Sequence, residues 1–482
     1  MMNSSKSRQL RKYFSLGAGI LGWFLGGVVF GFNVYAISLK QTFNYTQTEL
    51  DYIASSGDWG ECFQFPAGIV IDKFGPKVTC SISLIVTTMG FLLMWMATAF
   101  RIFFSSKSWL VCAFYFLTGF GPTFLVIPSM VVNCKNFDKK HLGKVLSLLS
   151  GTFGVSPAII IVLYEGLFVQ GHFEDAENQK LGEFMMMLAV LSACISVFCV
   201  VMLKTVPEDT PYDVIEQSGE AMNKTNDIHK NKNMEIHKNI NDRTALVPEK
   251  TTKQIPKDMN CWQIIKTPQF YYVFLICLII MGICISVVNN LTIIVESAQI
   301  DVNQITFTLI IPIFAVISRL FVGVLPDYIF QKWPFIPKSS ILLFSCILTC
   351  ISQMIFIVFN GSLIGLICAS VMVALAYGVL FVHISIITIN LFGLQYCGQN
   401  CGLVFLSNGF GLVLFQKLFA LNYETNSPPG SHSCFGDLCT KWFFVLTSSL
   451  SFCAVFLNFC LMKIERDLHL QHDESQASSH QK

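Results

Sequence analysis

Few residues of this 482-residue chain are able to do chemistry, because only 13% are charged while 53% are hydrophobic. Arg319 stands inside an apolar run, and a guanidinium offers a planar fork of donors that can hold a carboxylate through two bonds. It is either an anion-binding group or half of a structural pair with an acid such as Asp58 or Glu61. Lys417 ends a stretch beginning after Lys338 that contains no Asp, Glu, Lys or Arg. It either adds a second cation to the same cavity, which would favour an anionic solute, or snorkels its ammonium to a surface. Asp58 and Glu61, three residues apart, share one helix face; they suit a proton relay, a counter-charge for Arg319, or a hydrogen-bonded lock between helices. Asn289 and Asn290 can hydrogen-bond a solute or simply bridge helices. His383 reads as a satisfied packing residue and Glu165 as a group that reaches water. Gly151, Gly154 and Pro157 read as residues for close packing and bending.

The elements that position these groups follow from where charges are missing. A bilayer-crossing helix needs about 20 mostly apolar residues, and charge-free windows of that length recur along the chain. They predict an all-α membrane protein with twelve transmembrane helices near residues 14–38, 49–71, 78–100, 108–133, 145–168 and 182–203, then 268–294, 303–326, 338–359, 362–388, 399–421 and 442–462. The expected organisation is an N-terminus over 1–13, a six-helix bundle over 14–204, a linker over 205–267, a second six-helix bundle over 268–462 and a tail over 463–482. The linker contains NKTNDIHKNKNMEIHKNINDRT, whose low apolar content predicts a flexible segment. Lys6, Arg8, Arg11 and Lys12 precede a 27-residue charge-free run, too long for a cleaved leader.

Basic residues of short loops mark the cytoplasmic side of a membrane. The N-terminus, the loop with Lys73 and Lys77, the loop with Lys135, Lys139, Lys140 and Lys144, and the tail with Lys463 and Arg466 fall on one side. Both termini are therefore expected in the cytoplasm, at the plasma membrane or an internal one. Asn44-Tyr45-Thr46 is a glycosylation acceptor on the opposite side. Cys434 and Cys439 share a polar loop there, either bridged or as two free thiols.

The two halves repeat a motif. Helix 2 ends Gly68-Ile-Val-Ile-Asp72-Lys73-Phe74-Gly75-Pro76-Lys77, and helix 8 ends Gly323-Val-Leu-Pro-Asp327 after Arg319. In each, glycine permits close helix approach and the acid can accept hydrogen bonds from a neighbouring helix end, a clasp that can close in one conformation and release in another. A second echo is that Phe137 to Gly143, before helix 5, matches the spacing of Phe392 to Gly398, before helix 11. The first stretch resembles the helix 2–3 loop signature of the major facilitator superfamily. Tyr45-Thr-Gln-Thr-Glu49-Leu-Asp51, then Ser56-Gly-Asp58-Trp-Gly60-Glu61, with Asn136-Phe137 and Gly143-Lys144, look like the nodulin-like branch of that superfamily, although Cys62 replaces the usual Asn. Arg319 resembles the helix 8 arginine of monocarboxylate transporters and of the bacterial oxalate carrier, which meets the substrate carboxylate. The Asp one turn earlier in monocarboxylate transporters is Ala315 here. Lys417 resembles a helix 11 cation of some anion carriers.

These readings imply a secondary or facilitative transporter working by alternating access on a small organic anion: a monocarboxylate, a dicarboxylate or a carboxylate vitamin. A neutral solute, an amino acid or a metal complex is the alternative cargo, and a non-transporting solute sensor the alternative role. The expected partners are the small solute, protons and the lipid bilayer. A net charge of +2 without a basic stripe argues against nucleic acid. The absence of a phosphate-binding loop, of metal-ligand spacing and of a nucleophile–base pair argues against ATP-driven transport, a bound metal, a cofactor or an enzyme.

Overall fold

The computed structural model describes residues 2–169, 180–206, 258–300, 304–333, 336–359, 361–428 and 434–479, with side chains for all of these except 2–5, 139, 304–309, 326–327, 331 and 468–479. The described residues form helices joined by short turns and loops, with no strand among them. Eleven stretches are long and apolar enough to cross a membrane. One of them, Gln47–Ala99, holds 53 residues, which is about 80 Å of helix at 1.5 Å per residue against a hydrocarbon core of about 30 Å. It turns at Gly75, whose φ of 77° belongs to the left-handed region where glycine costs least. That stretch carries two spans, so the total is twelve.

Numbered by span, α1 joins Met2–Gly27 to Phe32–Phe43 through a 3-10 turn. The α2 helix joins Gln47–Cys62 to residues 65–75, and α3 covers 76–99. The first half closes with α4 (Ser108–Asn136), α5 (Leu142–Tyr164) and α6 (Leu181–Met202). The second half comprises α7 (Pro268–Asn289), α8 (Gln304–Lys332), α9 (Ser340–Val358), α10 (Leu363–Phe392), α11 (Cys397–Asn426) and α12 (Leu438–Ser479). The first begins before residue 14 and the last continues beyond 462, because a polar helix needs no lipid once its end is seeded by a buried span. Most of the expected linker, residues 207–257, lies outside the described residues. Its last part forms a short helix, Cys261–Ile264, started by a reciprocal cap between Asn260 and Gln263.

Two helix breaks shape the interior. In α2, Pro66 has no N–H for the Cys62 carbonyl; that carbonyl takes Gln64 N–H instead, at 2.9 Å, and the helix interrupts at Phe63–Gln64. In α1, the 3-10 turn at Val28–Gly31 has the Val29 carbonyl accepting the Phe32 N–H, and the same carbonyl also accepts the Tyr115 hydroxyl at 2.7 Å. Within each half, small residues bring helices together: Gly60 meets the α4 backbone at Phe116–Phe120, and Gly282 of α7 meets Gly411 of α11. Without a hydrophobic driving force between helices in lipid, such close backbone packing supplies much of the association energy.

Candidate functional site

The seams between the halves contain the glycines of the repeated motif. A Cβ on Gly68 would overlap the backbone of Gly398 and Gln399 at the start of α11. One turn on, Asp72 Oδ2 accepts the Gln399 N–H at 2.9 Å. That amide belongs to the first turn of α11, where helices leave N–H groups unbonded and carry partial positive charge. At the second seam, a Cβ on Gly323 of α8 would overlap Ser147 and approach the Gly143 carbonyl of α5. Gly143 and Gly398 are the residues of the second sequence echo, so each glycine motif meets the other half's echo. The Asp327 side chain lies outside the described residues. Lys73 and Lys77 are exposed beside Gly75.

Farther along the α2–α11 seam lies a small cavity of about 20 Å³, room for about one water molecule. Phe30 of α1 and Asp58, Glu61 and Cys62 of α2 line one side; Met281 and Ile285 of α7, Tyr377 and Phe381 of α10, and Asn408 and Leu412 of α11 line the other. Glu61 is buried, with Oε1 accepting Gln64 Nε2 at 2.7 Å. Asp58 sits one turn away on the same face, as the three-residue spacing requires. Charges at this depth are costly unless a cavity or partner receives them, and both acids face the cavity.

Arg319 is 2% exposed and stands behind the aromatic wall of that cavity. Its guanidinium carbon lies 4.6 Å from the Phe381 ring centre, 5.3 Å from Tyr377 and 5.7 Å from Phe153, within cation–π range. Nη1 donates to the Ser150 carbonyl at 3.0 Å, which links α8 to α5 across the seam. Buried Nε has no partner, and among the described residues no carboxylate forms an ion pair with it. Gly154 makes the space, since a Cβ there would press on Nη1.

Other candidates fall elsewhere. Lys417 is exposed and absent from the cavity lining, so α11 does not bring a second cation to Arg319. Asn289 is exposed at the end of α7, whereas Asn290 is buried and bridges the Ser286 carbonyl (2.8 Å) to Gln416 of α11 (3.1 Å). His383 bonds the Lys338 carbonyl at 2.9 Å, and Glu165 is exposed. Cys434 and Cys439 are joined by a disulfide. Asn44 is exposed, at the end of α1 in a left-handed conformation. Sequence reasoning missed Gln64, Tyr377, Phe381 and Asn408; only Gln64 had a local signal, the nearby Pro66. Among the described residues no cluster of His, Cys, Asp and Glu could hold a metal ion.

Twelve helices in two repeated halves, closing on a central cavity with buried charges, define a membrane carrier. The chain belongs to the Major Facilitator Superfamily, whose sequence profile matches residues 14–416; it is a transporter rather than an enzyme. Its fold is similar to that of the transporter FucP in the outward conformation (13% identity, TM-score 0.59, covering 93% of this chain and 99% of that one). It is similar also to the proton:xylose symporter XylE bound to 6-bromo-6-deoxy-D-glucose (8% identity, TM-score 0.61, 93% and 95% covered). A variant of the E. coli fucose:proton symporter FucP matches with 13% identity and a TM-score of 0.54, over 92% of this chain and 98% of that one. No curated protein sequence matches the chain.

Proposed function

We propose that the chain carries a small organic anion by alternating access, with Arg319 meeting the anion and Asp58 and Glu61 taking up protons as the site loads. The observation that carries this reading is a buried guanidinium between the halves with no carboxylate partner among the described residues and with Nε unbonded. An arginine has five donors, and a carboxylate could replace the Ser150 carbonyl and satisfy two of them. With both acids ionised, the potential in the cavity opposes an anion. Protons on Asp58 and Glu61 remove that opposition, so anion and proton would travel together.

A neutral solute is the second reading, favoured by one observation: Tyr377 and Phe381, rather than Arg319, form the cavity wall. The sugar:proton symporters of similar fold carry neutral cargo, but at 8–13% identity they share the fold alone. A counterflow screen of carboxylates against neutral solutes in proteoliposomes, run on the wild type and Arg319→Gln, separates the two. The anion reading expects carboxylate counterflow to fall thirtyfold or more, equivalent to the roughly 2–5 kcal/mol that loss of one partner of a desolvated charge pair costs. Equal transport of a neutral solute by both proteins would overturn it.

The same proposal takes the Gly75 end as cytoplasmic, because the short basic loops gather there, with 205–267 as the cytoplasmic linker between the 14–204 and 268–462 bundles. The Asp58-x-Gly60-Glu61 core supports membership of the nodulin-like branch.

A further inference from the structure

Glu61 and the seam at Asp72 belong to one helix, and the break at Phe63–Gln64 lies between them. Gln64 occupies that break, 1% exposed, with its amide turned back so that Nε2 donates to Glu61 Oε1 at 2.7 Å. Its Oε1 is buried without a partner. An ionised carboxylate only accepts hydrogen bonds, whereas a protonated carboxyl also donates one, and an amide offers both a donor and an acceptor. The present pairing suits the carboxylate and leaves the amide oxygen unsatisfied. After Glu61 gains a proton from water on the open side, the new O–H can donate to that oxygen. The geometry around the amide then has to change, and it does so where Pro66 leaves α2 without a continuous hydrogen-bond ladder.

The backbone here is also pressed by the other half. A Cβ on Gly402 of α11 would meet Gln64 and Phe65, so a rotation at the break is felt by α11 directly. Below it, residues 65–75 carry Gly68 and Asp72 to the start of α11. We infer that Gln64 is a positioning residue that pairs with Glu61 in both protonation states and thereby ties the charge in the cavity to the closure of the α2–α11 seam. This rests on the reading of Glu61 as the coupling carboxyl. The ionisable groups facing Glu61 are Asp58 and Cys62 on α2, Arg319 on α8 and Tyr377 on α10; Tyr115 of α4 faces Asp58. Among the described residues of α7 and α11, Met281, Ile285, Asn408 and Leu412 reach the cavity.

The test needs no knowledge of the cargo. Cys397 and Cys401, in the first turns of α11, are fully buried beside the seam, so their maleimide labelling, resolved by peptide mass spectrometry, reports its opening. Labelling of the full chain in proteoliposomes, expressed at each pH relative to the same cysteines in the detergent-denatured chain so that the reagent's own dependence on thiolate cancels, is followed from pH 5.5 to 8 in wild type, Glu61→Gln, Gln64→Leu and Gln64→Met; the methionine variant keeps the side-chain length should the leucine variant not fold. The expected result is labelling that changes with pH in wild type, a flat profile in Glu61→Gln, and at least a fivefold smaller pH-dependent change in the folded Gln64 variant. A Gln64 variant with the wild-type profile, beside a flat Glu61→Gln, overturns the role of Gln64 alone. Wild-type pH dependence surviving in Glu61→Gln, or none in wild type, overturns the coupling role of Glu61 itself.

Discussion

The α2–α11 seam and the α5–α8 seam have one plan and opposite charge. In each, a glycine four residues before an aspartate lies against the glycine that begins the opposing helix: Gly68 against Gly398, Gly323 against Gly143. Above that contact the first seam exposes Asp58 and Glu61 to the cavity, and the second buries Arg319. Packing has kept its twofold character because backbone approach leaves no freedom for a side chain. The charged groups near the cavity, free of that backbone constraint, differ between the halves. On the proposed reading, a duplicated scaffold supplies the symmetry needed to rock between two states, and the divergent charges supply its chemistry.

The contacts also differ in how far they can yield, and that difference can be broken experimentally. The Gly68 contact is backbone against backbone, whereas the Gly323 contact falls first on the Ser147 side chain. Overpacking costs about 1–3 kcal/mol, at the upper end where backbone must move. Gly68→Ala is therefore expected to slow counterflow about tenfold or more and to raise Cys397 labelling, while Gly323→Ala slows it only two- to fivefold. Equal effects would mean that the seams close by the same contact. The smallest effect is expected at Lys417: since its side chain is exposed and off the cavity, Lys417→Gln should change carboxylate counterflow by less than about twofold, the usual range for surface substitutions. A tenfold loss would return Lys417 to the site and restore a symmetrical pair of cations.

Much of this architecture was legible because lipid imposes a strict rule on sequence. Charge-free runs marked the spans, and the Gly68–Asp72 and Gly323–Asp327 echoes marked the seams. The Phe137–Gly143 and Phe392–Gly398 spacing was visible too, but nothing local indicated that each faces the other half's motif. Helix rotation was the main obscurity. On α11, Gln416 turns to Asn290 while Lys417, one residue and about 100° further round, turns outward. The same rotation separates buried Asn290 from exposed Asn289. Arg319 was conspicuous, yet its surroundings come from Phe153, Tyr377 and Phe381, far away in the chain, and its aromatic enclosure was not readable. The break at Gln64 had a visible cause in Pro66, but the amide's return to Glu61 depends on how the broken helix packs.

The central claim is that the acids of one seam and the cation of the other form a single site. It is tested most directly by measuring the affinity of the best carboxylate from the counterflow screen at pH 5.5 and pH 8 in wild type, Arg319→Gln and Glu61→Gln. Lower pH neutralises carboxylates and removes repulsion of an anion, so wild-type affinity should rise as pH falls. Glu61→Gln should bind more tightly than wild type at pH 8 and keep only the smaller pH dependence that Asp58 contributes, and Arg319→Gln should bind weakly at both values. Wild-type affinity in Arg319→Gln, or undiminished pH dependence in Glu61→Gln, would contradict the account.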